Sequence, residues 1–442
     1  MSMWSKNALW AADGELFIAG ISATTLASEF GTPLFVLDED DFRSNARRFV
    51  DAFEEAFGAG KVSVYYAGKA FLSASVIKWL EEDGLNLDVC TGGELAVAKL
   101  AKFPPSRIEF HGNNKSVAEI EDALDYGVEY IAIDSFVEIN RVEKAAAARG
   151  MIQKVIIRTT PGIEAHTHEF IATAHEDVKF GFSIASGAAL EAARQVRGAT
   201  HLDLQGLHAH IGSQIFDTDG YELAAERIIE LLATIRDESN SELPLLDLGG
   251  GFGIAYLAEE SALDPAAVAR KMHSVIVASC EAYGLKVPHI SIEPGRAIVG
   301  PSMATVYEVG TTKSVTLDDG GSRAYIAVDG GMSDNIRPAL YDAEYTVVLA
   351  NRRSTAPLRP SRVVGKHCES GDIIIKNVDL PGDIAPGDLL ATPVTGAYGR
   401  SMASNYNHIS RPPVVAVSDG KARIIVRRET HEDLLRLENM EG

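Results

Sequence analysis

Cysteine is scarce in this chain of 442 residues, which contains only Cys90, Cys280 and Cys368. An odd and widely spaced set predicts neither a disulfide framework nor a zinc site, and we expect no bound metal. The chain also lacks an apolar run of about 18 residues, the length that a membrane-spanning helix requires. Its N-terminal segment combines no long apolar stretch with a cleavage site. These absences predict a reduced, cytoplasmic protein without a membrane span.

Basic residues are few relative to acidic ones, since 41 Lys and Arg stand against 62 Asp and Glu and give a net charge of −21. Such a surface repels phosphate backbones and anionic lipids, so we expect neither nucleic acid nor membrane as a partner. The charge does not bear on a small zwitterionic substrate. Apolar residues make up 46% of the chain, which is enough to bury a sizeable core.

Short β-branched runs alternate with helical patterns from residue 61 to about residue 300. The predicted strands lie at 62–66, 85–89, 107–110, 130–133, 154–159, 204–210, 244–248 and 289–293. Eight strand–helix units fit a parallel (β/α)8 barrel, and an open doubly wound sheet is the alternative. After residue 300, strand-like runs separated by Gly, Pro and Asp predict a mainly β domain. We therefore predict a barrel over 36–300, and a β-rich domain formed by 1–35 and 301–442.

Polar or glycine-rich clusters follow four of the predicted strands. They are AGK ending at Lys69, HIGSQ beginning at His210, GGGFG at 249–253, and EPGR at 293–296. The carboxyl ends of barrel strands share one face, where the active sites of such barrels are built. We therefore expect these clusters to converge.

Each cluster has a chemical interpretation and a plainer one. Lys69 could lose its proton in an apolar wall and form a Schiff base, or it could be a solvated lysine. GGGFG could present backbone N–H groups to a phosphate or simply make a tight turn. His210 could be a core histidine, and Glu293 with Arg296 a surface ion pair.

Two further clusters lie in the predicted β domain. In CESGD (368–372), the acidic neighbours favour a neutral thiol at Cys368, which makes it a candidate proton donor rather than a thiolate nucleophile. The plainer interpretation is a small buried cysteine. GAYG (396–399) places the hydroxyl of Tyr398 near flexible backbone.

The order of these motifs is more specific than any one of them. YAGKA, DVCTGGE, HAHIGSQ, GGGFG, EPGR, RPALYD, CESGD and GAYG follow one another between residues 66 and 399. In this order they resemble the fold-type III decarboxylases that use pyridoxal 5′-phosphate (PLP), most closely the branch that acts on diaminopimelate. The resemblance runs from about residue 30 to 410. It implies an alanine racemase-like fold of a barrel and a β-rich domain.

The resemblance also implies roles for individual residues. Lys69 matches the lysine that binds PLP as a Schiff base, His210 the imidazole on the cofactor ring, and Glu293 the carboxylate at the pyridine nitrogen. Asp88 and Arg158 match polar residues beneath the ring. The residues matching the phosphate site are Ser213, Gly250, Gly251, Gly253, Gly295, Arg296 and Tyr398.

On the substrate side, the resemblance assigns the far end of the substrate to Arg296, Arg337, Tyr341, Glu369 and Tyr398. Cys368 and Glu369 resemble residues lent by a partner subunit, which implies a homodimer with shared active sites. Segment 165–182 resembles a substrate-covering loop. The implied reaction is the decarboxylation of meso-2,6-diaminopimelate to L-lysine and CO2 through an external aldimine, the last step of lysine biosynthesis.

Charge favours this substrate over its alternatives. The far carboxylate of diaminopimelate needs cationic partners, which Arg296 and Arg337 provide, and its far ammonium can pair with Glu369. An arginine at 337 would repel the cationic tail of ornithine or arginine. Carboxynorspermidine-type enzymes also bind a second carboxylate and stay open as an alternative. A racemase is disfavoured by Glu293, and a non-catalytic regulatory homologue by the presence of Lys69, Glu293 and Cys368.

Overall fold

The chain folds into two compact units in a computed structural model that describes residues 3–162, 179–210, 214 and 219–439. The barrel unit comprises 45–253 and 262–297, and the β unit comprises 1–44, 254–261 and 298–442. Among the described helices, none combines the length and the apolar character that crossing a bilayer requires.

The barrel unit contains a closed ring of eight parallel strands, which confirms the predicted barrel and excludes the open sheet. The strands are Val62–Ala67, Asn86–Val89, Ile108–Phe110, Tyr130–Ile133, Gln153–Thr160, Leu202–His208, Leu245–Asp247 and His289–Ile292. The first strand pairs with the last, so the residues that follow these two strands are neighbours at the carboxyl end of the ring. A two-residue strand, Phe182–Ser183, adds to Gln153–Thr160 outside the ring.

Helices connect the barrel strands, and four of them begin at a Ser or Thr cap that directly follows a strand or its short loop. The side chains of Ser73, Thr91, Ser116 and Ser135 each accept a hydrogen bond from the backbone N–H three residues on. The helices of this region are Glu39–Phe57, Ala74–Glu82, Gly92–Ala101, Val117–Tyr126, Phe136–Ala148, Ala188–Gly198, Asp219–Ser239, Pro265–Tyr283 and Arg296–Val299.

The β unit confirms the mainly β C-terminal region and takes its central strand from the N-terminal part of the chain. Leu34–Asp38 lies between Met303–Thr316, to which it is antiparallel, and Val414–Ser418, to which it is parallel. Leu34 and Val36 are fully buried against Val306 and Val415. The other strands are Ala8–Trp10, Leu16–Ile18, Ile21–Ser22, Ser322–Val328, Val348–Leu349, Leu358–Val364, Ile373–Pro381, Leu389–Thr392 and Lys421–Val426, and the helices are Ala23–Phe30, Arg337–Tyr341 and His431–Leu435.

Candidate active site

Lys69 lies at the carboxyl end of the first barrel strand, in the short turn Gly68–Ala70. The turn passes so close to the next strand that a Cβ at Gly68 would lie 2.9 Å from the carbonyl oxygen of Asp88. Lys69 is half-buried, and its charge lowers the pKa that burial would otherwise give to Asp88 and Glu94. One of the two interpretations of the sequence placed this lysine in an apolar wall, whereas the structure brings its charge near the acidic side chains of Asp88 and Glu94.

Glu293 follows the last barrel strand, next to the strand that carries Lys69. Its carboxylate is buried, with Oε1 3.2 Å from Nε2 of His111 and 3.1 Å from Nε2 of His208. Oε2 lies 3.9 Å from Nδ1 of His210. These His111, His208 and Glu293 atoms lie within 4.8 Å of one another, a spacing that a metal ion could also bridge.

The groups around Glu293 favour the ionised form of its carboxyl group. Burial would raise the pKa of Glu293, but the facing imidazoles of His111 and His208 hold it well below its ordinary value. Burial lowers the pKa of both imidazoles, whose Nε2 atoms face Oε1 of the carboxylate. Oε1 of Glu293 still has no partner with hydrogen-bond geometry among the described residues.

Asp88, Glu109 and Asp247 are also buried in the barrel strands or directly after them. The pKa of Asp88 and that of Asp247 are raised well above the ordinary value, mainly by burial and secondly by the charge of Glu293. Burial and then Asp247 do the same to the pKa of Glu109, and carboxyl oxygens of Glu109, Asp247 and Glu293 lie within 4.8 Å of one another. Asp247 also accepts the N–H of Gly249 at 2.6 Å. The raised pKa favours the protonated form of Glu109, whose two carboxyl oxygens have no hydrogen-bond partner among the described residues.

We expect the free energy of unfolding to fall less steeply with rising pH in Glu109→Gln than in the wild type. Above the ordinary glutamate pKa of 4.5, the unfolded chain releases this proton and the folded chain keeps it. Stability therefore falls as pH rises, by at most about 1.4 kcal/mol per pH unit for one proton. Glutamine has nearly the same shape as glutamic acid and carries no proton that titrates in this range.

Thermal unfolding of the cofactor-free protein between about pH 5 and 8 measures this difference. The unfolding midpoint of Glu109→Gln should rise relative to the wild type as pH increases. Glu55→Gln, at an exposed helix position, is the control and should follow the wild type. A steeper decline in Glu109→Gln would show that Glu109 is ionised in the folded protein.

The glycine turn 249–253 packs directly against His210 and Glu293. Gly249 and Gly251 have φ values of +67° and +101°, which favour glycine. A Cβ at Gly250 would lie 2.2 Å from the carbonyl oxygen of Glu293, so that position has no room for a side chain. The N–H of Gly250 donates to Nδ1 of His210 at 3.1 Å, which leaves the proton of the neutral imidazole on Nε2.

The turn Gly295–Arg296 lies against the end of the first strand. A Cβ at Gly295 would come within 2.9 Å of both the Cβ and the carbonyl oxygen of Ala67. Arg296 is buried. Arg158 lies 3.8 Å from Asp134 and stacks on the ring of Phe180 at 4.2 Å. Ser213 and residues 165–178 of the predicted loop lie outside the described residues.

In the β unit, Arg337 is buried at the start of the helix Arg337–Tyr341. Its guanidinium donates to the hydroxyl of Tyr345 and lies 4.6 Å from the ring centroid of Tyr256. Burial would lower the pKa of Arg337, but Tyr256 and Tyr345 raise it, so the group stays cationic. Tyr341, at the end of the same helix, is half-buried.

Cys368 and Glu369 are exposed in the turn between the strands Leu358–Val364 and Ile373–Pro381. Oε1 of Glu369 accepts the N–H of Gly371 at 3.1 Å, a contact within the turn. Tyr398 is half-buried with φ +63°, a left-handed conformation that is uncommon for residues other than glycine.

Sequence reasoning missed the side chains that set the charge of Glu293. His111 follows the third barrel strand, at a position equivalent to the clusters that were recognised, so the strand-end rule could have found it. His208 is the last residue of the strand Leu202–His208, two residues before His210. Neither Glu109 nor Asp247 had a signal in the sequence, because each is a single acidic residue within an apolar run and belongs to no motif.

Comparison with known proteins places this geometry in context. Residues 40–300 match the pyridoxal-binding domain of the pyridoxal-dependent decarboxylases. The chain is 53% identical to the diaminopimelate decarboxylase of Mycobacterium leprae over 441 residues, covering 99% of this chain and 92% of that protein. It is 47% identical to the Bacillus subtilis diaminopimelate decarboxylase over 426 residues, covering 96% and 95%.

Solved structures with the same name are also similar. The M. jannaschii diaminopimelate decarboxylase in complex with L-lysine has a TM-score of 0.88 and 30% identity, covering 98% of this chain and 97% of that one. The Helicobacter pylori enzyme, also complexed with L-lysine, has a TM-score of 0.83 and 31% identity, covering 94% and 98%.

Proposed function

The chain belongs to the diaminopimelate decarboxylase family of PLP-dependent enzymes, and from this we propose which side chains convert meso-2,6-diaminopimelate to L-lysine and CO2. The observation that carries the proposal is the placement of Lys69 and Glu293 after paired first and last strands of the barrel. A primary amine and a buried carboxylate are thereby presented at one end of the ring.

Three features of the barrel fit PLP. Lys69 offers the amine for the cofactor aldehyde, and Oε1 of Glu293 is a buried oxygen without a hydrogen bond among the described residues. The glycine turn 249–253 leaves no space for side chains against His210 and Glu293. We propose that its N–H groups, with Gly295, Arg296, Ser213 and Tyr398, hold the phosphate.

When bound, PLP supplies the electron sink for the electrons released as the Cα–carboxylate bond breaks. Glu293 keeps a proton on the pyridine nitrogen, because an ionised carboxylate there stabilises the cationic ring. Burial raises the pKa of Glu109 and Asp88, which favours their neutral forms and limits repulsion between them and the carboxylate of Glu293. His210 is neutral, held by Gly250, and available to contact the ring.

On the substrate side, we propose that Arg337 binds the far carboxylate of diaminopimelate. It is buried, cationic and held by two tyrosines, so its planar fork is pre-organised for a carboxylate. Arg296 and Tyr341 assist at the same carboxylate, and Glu369 pairs with the far ammonium. A cationic tail without a carboxylate would meet the repulsion of Arg337.

We expect Arg337→Ala to raise KM for meso-diaminopimelate about 10²-fold, because losing a buried charge partner costs about 2–5 kcal/mol. The turnover number should change much less. Steady-state kinetics measure KM and the turnover number. The inhibitor 1,5-diaminopentane lacks a carboxylate, so it should inhibit the variant at least as strongly as the wild type. Arg362→Ala is the control, since Arg362 also lies over a tyrosine ring, that of Tyr325. An equal rise in KM for both variants would contradict the assignment.

We propose that Cys368 donates the proton that replaces CO2 at Cα. Cys368→Ala should then lower kcat about 10²-fold, the range of general acid catalysis, with cofactor absorbance unchanged. Lysine formation measures the rate. Cys280→Ala, at a buried helix position, should keep the wild-type rate. An unchanged rate in Cys368→Ala would remove this thiol from the mechanism.

We further propose a homodimer in which Cys368 and Glu369 serve the partner's active site, an arrangement supported by their exposure in the single chain. Mixing Lys69→Ala with Cys368→Ala chains extends the Cys368 test. Mixed dimers contain one intact site if the sites are shared, so activity should exceed the sum of the two variants. Activity equal to that sum would mean unshared sites.

A reduced thiol at Cys368 also supports the cytoplasm as the place of action.

A further inference from the structure

The turn that carries Cys368 and Glu369 has an exposed tip and a buried neck. Residues 368–371 are exposed, whereas His367 and Asp372, which flank them, are 8% and 3% exposed. Apart from bonds within the tip, the contacts described for this turn lie at the neck. The position of Cys368 therefore depends on what holds His367 and Asp372.

His367 is bonded at both ring nitrogens. Nε2 lies 2.8 Å from Oγ of Ser333, and Nδ1 lies 3.1 Å from Oδ1 of Asn407. The amide oxygen of Asn407 accepts, so Nδ1–H donates and Nε2 accepts from the serine hydroxyl. The ring also stacks on Tyr406, with centroids 5.2 Å apart and an interplanar angle of 15°.

Segment 404–407 of the same chain, which contains Asn407, has a backbone conformation that suits this contact. Asn407 has φ 52° and ψ 26°, a left-handed conformation that asparagine tolerates better than most residues. In addition, the N–H of Ser404 donates to the carbonyl oxygen of Ser333 at 2.9 Å. Segment 404–407 thus bonds both to His367 and to the segment that contains Ser333.

Asp372 closes the other side of the neck. Its carboxylate accepts the N–H of His367 at 2.8 Å and the N–H of Met332 at 2.6 Å. Gly331 and Gly365 leave room for this carboxylate, since a Cβ at either would lie within 2.8 Å of its oxygens. Residues 331–333 and 365–372 are therefore interlocked.

The interlocked segment leads directly into the helix of Arg337. Ser333 is four residues before Arg337, and Asp334 fixes the turn by accepting the N–H of Gly331 at 2.8 Å and the hydroxyl of Tyr307 at 2.5 Å. His367 thereby connects the turn of Cys368 and Glu369 to the segment that begins the Arg337 helix.

We propose that His367 is a positioning residue, which fixes Cys368 and Glu369 in register with the Arg337 segment through Ser333 and Asn407. The inference rests on the proposed roles of Cys368 and Glu369. A proton donor misplaced by about 1 Å loses much of its rate, on the order of 10²-fold. His367 itself contacts no reacting atom in this account.

The test compares His367→Ala in two backgrounds. In the otherwise wild-type protein, kcat should fall at least about tenfold and KM should rise severalfold, with cofactor absorbance unchanged. In the Cys368→Ala/Glu369→Ala background the same substitution should have no further effect, because the groups that it positions are already removed. Ser333→Ala, a milder change, should reproduce the direction of both effects.

His431→Ala, at an exposed position outside these segments, is the control and should retain wild-type kinetics. An equal loss from His367→Ala in both backgrounds would overturn the inference, since it would show a general structural role. Wild-type kinetics in both His367→Ala and Ser333→Ala would also overturn it. If Cys368→Ala/Glu369→Ala alone is as active as the wild type, the proposed roles of those residues fail instead.

Discussion

Replacing Lys69 with alanine is expected to lower kcat by about 10³-fold or more, the largest effect of any substitution considered. In the proposed site this residue would supply the amine that binds the cofactor aldehyde. Without it, PLP would be held only by non-covalent contacts at the glycine turn and at Glu293. The visible absorbance of the bound cofactor should shift, and dialysis should remove PLP that the wild type retains.

Absorbance spectra before and after dialysis, with lysine formation from meso-diaminopimelate, measure both expectations. Lys78→Ala is the matched control, since Lys78 is exposed on the helix that follows Lys69. It should leave the spectrum and the rate unchanged. A Lys69→Ala protein that keeps the wild-type spectrum through dialysis would place the covalent attachment at another lysine.

Glu293→Gln is expected to lower kcat about 10²-fold, the cost of removing one electrostatic stabiliser from a buried site. The amide has the shape of the carboxylate but not its charge, so the pyridine nitrogen loses its proton and the electron sink weakens. PLP should still bind, since Lys69 and the glycine turn 249–253 are intact. Turnover and the pH dependence of cofactor absorbance report the two effects.

The same substitution at Glu109 provides the control for Glu293→Gln. Both carboxyls are buried near His111, but burial and Asp247 raise the pKa of Glu109, which favours its neutral form. Glu109→Gln should therefore retain turnover within about threefold, well under 1.4 kcal/mol. Equal losses in the two variants would contradict the assignment of charge to Glu293 alone.

The parts that sequence predicted best are those governed by local rules. The periods of the apolar residues indicated the strands, and the barrel topology then assigned the residues after each strand to one end. Lys69 and Glu293 were predicted on this basis although more than 200 positions separate them. Their strands prove to be the first and last of the ring, which pair directly.

The parts that sequence did not predict depend on pairings between distant segments. Tyr256 lies in the segment Ile254–Ser261, which leaves the barrel unit and joins the β unit. Its stacking with Arg337 has no local signal. The proximity of Glu109 to Asp247 likewise depends on the folding of the barrel. In the same way, the contacts of His367 with Ser333 and Asn407 join segments that are more than 30 residues apart.

We propose that this barrel binds PLP at Lys69 and decarboxylates diaminopimelate. The most direct test is the absorbance spectrum of the purified protein, followed after addition of meso-diaminopimelate while CO2 and lysine are measured. The account predicts a cofactor band that shifts on addition, together with equal amounts of lysine and CO2. A band without lysine formation would contradict the substrate, and no band after PLP is supplied would contradict the enzyme itself.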